Sequence, residues 1–168
     1  MSKRDIVLIP EPILKTVSAP VEAVTDATRK LFDDMLETMY AAPGIGLAAV
    51  QIGVAQRLVT VDVSREDEEK QPLFFANPEI IWSSEESHAY EEGCLSIPDI
   101  YAEVTRPSEV KVAYLDYQGE KREMHCTGLL ATCIQHEIDH LNGILFIDHL
   151  TRLQRERAVK KFMKAQKR

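Results

Sequence analysis

No stretch of this chain approaches the roughly 20 consecutive apolar residues that a membrane-spanning helix needs. Its opening, "MSKRDIVLIPEPIL", meets charge at once, runs through four apolar residues and reaches Pro10. It therefore lacks the apolar core of a secretory signal. Cysteine is scarce: Cys94, Cys126 and Cys133 are all there is. An odd number at irregular spacing argues against a disulfide framework and for reducing surroundings, with a cytoplasmic location expected. Repeats and low-complexity tracts are missing too. What remains is ordinary for a globular chain: 168 residues, 45% apolar and 28% charged. That length predicts a single domain over 1–168, long enough to bury a real core.

The net charge of −7 hides an asymmetry. Residues 151–168, "TRLQRERAVKKFMKAQKR", hold eight Lys/Arg and one Glu, a charge of +7, which leaves −14 on the other 150 residues. A basic helix from about Leu150, with Leu153, Val159, Phe162 and Met163 on an irregular apolar side, closes an acidic body. It has two readings: a helix packed on that body, or an arm that offsets the repulsion between an acidic protein and a phosphate-rich ribosome.

Periodicity assigns the other elements. Residues 26–42 read as an amphipathic helix with Leu31, Met35 and Met39 on one face, stopped at Pro43-Gly44. Residues 56–63 and 72–80 read as strands, with Trp82 and the apolar residues of 72–81 taken as core. Residues 109–126 read as a hairpin turning near Gln118-Gly119. Residues 127–143, "TGLLATCIQHEIDHLNG", read as a helix capped by Thr127 and stopped at Asn142-Gly143. Its apolar residues cover most of the circumference, so it is expected inside. Helices and strands segregate along the chain, which predicts an α+β fold.

Within that buried helix, "QHEIDH" places His136 and His140 on one face with Glu137 beside the first. Buried polar groups are costly unless partnered, so three in five positions point to a metal site. The third ligand is not where related patterns put it. A metzincin would have histidine at 146, and here stands Phe146. Downstream carboxylates are confined to Asp148 and Glu156, and His149 reads as a surface or capping residue. Cys133 shares the histidine face but lies roughly 10 Å along the axis from His140. Cys126 has no supporting context. Cys94, in "EEGCLSIP", is what remains. Asp139 is read as orienting a ligand histidine or as an ordinary surface contact.

Three motifs in order, "GIGLAAVQ" (44–51), "EGCLS" (92–96) and "QHEIDH" (135–140), resemble those of the peptide deformylases, and the fit runs from about Ile6 to Leu153. Two departures are small: Val50 where the family commonly has threonine, and Pro43 before the first glycine. The resemblance implies antiparallel sheets around a central buried helix carrying the HExxH motif, with a helix at the C-terminus. It implies an enzyme that removes the formyl group from N-formyl-methionyl nascent peptides and releases formate. Cys94, His136 and His140 are then the ligands of one divalent metal, Fe2+ natively with Zn2+, Ni2+ or Co2+ accommodated, and a fourth position is left for water. Glu137 is the general base and acid, while Gln51 and the Leu95 backbone N–H bind the developing oxyanion. Gly44, Ile45, Gly46, Leu129 and Cys133 form the methionine pocket, and Glu92 with Arg106 braces the Cys94 loop. A monomer is expected, with no membrane partner.

Overall fold

The computed structural model describes residues 2–167. Its central element is helix α2, Gly128–Leu141, in which every residue from Ala131 to Leu141 except Asp139 is buried. Apolar side chains around the whole circumference leave such a helix nowhere else to go. Thr127 occupies the cap position as expected, but its side chain makes no capping bond. Its stop is as read: Gly143 takes φ 74°, and a Cβ there would stand 2.5 Å from the Lys15 carbonyl oxygen. Only glycine fits both demands.

Around α2 wraps a five-stranded antiparallel sheet in the order β1-β2-β3-β6-β7. Its strands are β1 (Gly46–Ala48), β2 (Leu58–Val61), β3 (Leu73–Ser83), β6 (Glu109–Leu115) and β7 (Lys121–Thr127). Register pairs Leu47 with Thr60, Val59 with Phe75 and Val112 with Met124. The inward residues Val59, Val61, Phe75, Val110 and Val112 pack on Ile134, Ile138 and Leu141 of α2. β3 outruns its expected end. Asn77 turns it at φ 50°, its side chain bonding both backbone groups of Val21, and the strand continues away from the core. Ile81 and Trp82 are 47% and 44% exposed, so the expectation that they are core was wrong.

The second sheet is the hairpin β4 (Ser87–Cys94) and β5 (Ile97–Pro107), which turns at Leu95-Ser96. Helix α1, Asp26–Ala41, is capped by Thr25 and Thr28 and buries Phe32, Met35 and Met39, with Leu31 only half-buried. Helix α3, Arg152–Gln166, is no free arm: Phe162 is buried at 1% exposure among Ile97, Ile100, Val104 and Ile147. Leu153, expected on that apolar side, is 58% exposed. The architecture is the α+β one expected, with antiparallel sheets about a buried helix and a helix closing the chain.

Candidate active site

Cys94 ends β4, while His136 and His140 lie a turn apart on α2. The thiol sulfur and one nitrogen from each ring lie within 4.8 Å of one another. Cys94 Sγ is 3.3 Å from His140 Nε2. The outward nitrogen of His136, Nδ1, is 3.0 Å from Glu92 Oε1, which turns Nε2 toward the sulfur. The other candidates are occupied elsewhere. Cys133 points its thiol at the Ile45 carbonyl, 3.7 Å away. Burial, then Glu137, holds that thiol well above its ordinary pKa, and burial pushes Cys126 up to about 11. Both stay protonated and are poor cation donors. Phe146 stacks on His136 with ring centroids 6.0 Å apart. Asp148 holds Lys15 and the Leu145 N–H, and Glu156 pairs with Arg152.

A chain of charges backs the cluster. Arg106 grips Glu92 through two parallel bonds of 2.7 and 3.0 Å, both residues 5% exposed. Its Nη1 reaches Asp139 Oδ2 at 2.9 Å, the oxygen that also meets His149 Nε2 at 2.8 Å. Asp139 thus braces Arg106 rather than touching a ligand histidine. Burial would raise Glu92, but its bonds with His136 and Arg106 outweigh that and lower its pKa.

The two histidines titrate in opposite directions. Burial alone would strip a proton from His136, yet Glu137, the Cys94 sulfur and Glu92 outweigh it and hold its pKa well above the ordinary value. His140 moves the other way, pushed well below by burial and then by His136. A sulfur and two imidazole nitrogens within 4.8 Å of one another form a donor set that suits a divalent metal of N/S preference. His140 Nδ1 and Glu137 Oε1 are buried without a partner among the described residues. Glu137, 4% exposed, has its carboxyl pushed up to about 7, chiefly by burial.

Glu137 faces a cleft of about 630 Å³, lined also by His136, Cys94, Leu95, Gln51 and Cys133 among others. Gln51 sits in the 3₁₀ turn Ala49–Ile52, fully buried. The Ala48 N–H donates to its Oε1 at 3.0 Å, which aims Nε2 at Ser96 Oγ (3.1 Å) and Cys94 Sγ (3.6 Å). Ile45 and Leu129 stand at the rim, 41% and 42% exposed. At Gly46 a Cβ would stand 2.5 Å from Glu137 Oε2 and 2.7 Å from Cys133 Sγ; at Gly44 it would stand 2.6 Å from Leu95 Cδ1. The space each glycine leaves is thus filled by the chain's own side chains.

The family model for polypeptide deformylase matches residues 3–156. The chain belongs to the peptide deformylase family. The peptide deformylase of Phenylobacterium zucineum is 62% identical over 164 residues, covering 98% of this chain and 97% of its own. That of Rhizobium meliloti is 56% identical over 167 residues, covering 99% and 96%. The crystal structure of peptide deformylase from Ehrlichia chaffeensis matches with a TM-score of 0.94 at 40% identity, over 99% of this chain and 98% of that one. Its complex with actinonin matches with a TM-score of 0.94 at 42% identity, over the whole of both.

Deformylase membership makes the chain an enzyme. Two residues at the site escaped the motif reading. Ser96 stood inside "EGCLS" and is fully buried, but only the fold shows its hydroxyl holding the Gln51 amide. Ile6 lines the cleft from the far end of the chain, and nothing in its own surroundings marks it.

Proposed function

We propose that the chain removes the formyl group from N-formyl-methionyl ends of newly made polypeptides, acting as a cytoplasmic monomer. The observation that carries the reading is a buried carboxylate with a free oxygen, Glu137, that shares a cleft with Cys94, His136 and an aimed Gln51 amide, while His140 behind them converges on the same Cys94 and His136 donors. No helix among the described residues is long and apolar enough to cross a membrane.

Cys94, His136 and His140 would hold the divalent metal, Fe2+ natively, with Zn2+, Ni2+ or Co2+ accommodated by the same donors. When bound, the ion supplies Lewis acidity to the formyl carbonyl and to water. Glu137 takes a proton from the water as it adds to the formyl carbon. The carbonyl oxygen gains negative charge and accepts from the Gln51 amide and the Leu95 N–H. Glu137 then gives its proton to the departing amine, the C–N bond breaks, and formate and a free amino terminus remain. Ile45, Leu129 and Cys133, with Gly44 and Gly46, enclose the methionine side chain.

Formate release from formyl-Met-Ala, with no cleavage of acetyl-Met-Ala, is the result expected; hydrolysis of the Met–Ala bond would mean a peptidase instead. Gln51→Leu should lower turnover by about 10²–10³-fold with little change in KM, because its bond strengthens only in the transition state. A raised KM at normal turnover would count against that role.

Ribosome contact belongs to the same proposal. Arg155, Arg157, Lys160, Lys161, Lys164 and Lys167 all stay exposed while Phe162 is buried, so α3 packs inward and is basic outward at once. Truncation after Arg155 would uncover the partners of Phe162, which makes charge the better probe. The joint variant Arg157→Gln, Lys160→Gln, Lys161→Gln, Lys164→Gln should weaken low-salt co-sedimentation with ribosomes, and short-peptide cleavage should stay within about twofold. Unchanged co-sedimentation would remove the docking role.

A further inference from the structure

Residues 2–8 form no helix or strand, yet they are held at both ends. At one end Asp34 of α1, 1% exposed, accepts from the Ser2 N–H at 2.8 Å and from Arg4 Nε and Nη2 at 3.2 and 2.9 Å. Thr38, equally buried, accepts from the Arg4 N–H at 2.9 Å. At the other end the Val7 N–H donates to the Gln51 carbonyl at 2.7 Å, and the Ile9 N–H donates to the Ser96 carbonyl at 3.1 Å. Between these anchors Ile6 forms part of the cleft wall.

We propose that residues 2–9 are a strap that sets the spacing between the Gln51 amide and the Leu95 N–H, with Asp34 as the positioning residue that tensions it. The inference rests on the oxyanion roles proposed for those two groups. They come from segments far apart in the chain, a 3₁₀ turn and a hairpin turn. The Gln51 amide links them directly through side-chain bonds to Ser96 and Cys94, which hold its tip but not the backbone of its turn. The two strap bonds are backbone to backbone, spaced two residues apart in the chain, and they grip the carbonyl of each turn. Oxyanion donors are effective only when held within about 0.5 Å of their place, so a second, stiffer link has a function. Asp34 makes the same point from the other end. A buried carboxylate is costly, and among the described residues its side-chain oxygens bond to Ser2 and Arg4 of the strap alone.

The test is a pair of double-mutant cycles. Val7→Pro removes the N–H that reaches Gln51, and Asp34→Ala removes the anchor. Each alone should lower turnover on a short formyl-peptide about tenfold, with KM within about twofold and metal content unchanged. In the Gln51→Leu background each should cost less than about twofold more, because the group they position is gone. Full additivity, or loss of metal in step with loss of activity, overturns the strap while leaving the Gln51 reading intact. Normal turnover in Gln51→Leu alone overturns the Gln51 reading itself. Wild-type hydrogen exchange decides the matter even if a variant fails to fold. The Val7 and Ile9 amides should exchange several-fold more slowly when actinonin is bound, and unchanged exchange overturns the strap.

Discussion

Glu137→Gln should keep its fold and its metal while losing about 10²–10⁴-fold in turnover. The substitution preserves shape and removes only the capacity to carry a proton. Glu137 is not among the converging donor atoms, so metal content has no reason to fall. Turnover near the wild-type value would end the general-base assignment. The metal-free proteins should differ in a second way. Burial raises the Glu137 carboxyl from its ordinary 4.5 to about 7. A carboxyl whose pKa is higher folded than unfolded costs nothing below pH 4.5 and costs increasing stability as pH rises through 7. Metal-free Glu137→Gln should therefore melt above metal-free wild type at pH 8, and the gap should close toward pH 4.5. A gap that does not vary with pH would show that the carboxylate is not the strained group.

Cys94→Ala should lose most bound metal and nearly all activity, whereas Cys133→Ala should keep its metal. The two cysteines differ in surroundings rather than in kind. Cys94 Sγ lies 3.3 Å from a ring nitrogen that burial keeps neutral, with Glu92 and Arg106 fixing the histidine opposite. Cys133 is held as a neutral thiol against the Ile45 carbonyl. Removing it deletes one small buried group beside Glu137, which should lower stability modestly. Elemental analysis of both variants, purified without oxygen, checks the expectation. Equal metal loss with folding intact would overturn the ligand assignment.

The parts of this chain legible in its sequence are those where one physical demand dominates. Helix α2 must bury nearly all its sides, so its apolar wrap and its stop at Gly143 could be read directly. The β6–β7 hairpin shows its turn at Gln118-Gly119, where Gly119 takes φ 85°. The β4–β5 hairpin was not legible, because a two-stranded ribbon buries little and its strands mix Glu91, Glu103, Pro98 and Pro107 among apolar residues. Trp82 misled for the converse reason: apolar character marks a core residue only if the strand stays in the core, and β3 leaves it after Asn77. At the site, motif order placed Cys94 beside the histidines, but the contacts of Ser96, Ile6 and Asp34 join segments far apart in the chain, which no local pattern encodes.

Trp82 is the chain's one tryptophan, and its indole packs edge-on to His125 at 5.9 Å with Lys111 over the ring at 5.5 Å. Neither neighbour lines the cleft. Intrinsic tryptophan emission is therefore a local reporter of the outer face of β3, β6 and β7, half in water already in the native state. It will register the melting of that sheet and stay nearly silent when a ligand enters the cleft. Optical binding titrations on this protein need an added chromophore near Leu129 or Ile45 at the rim.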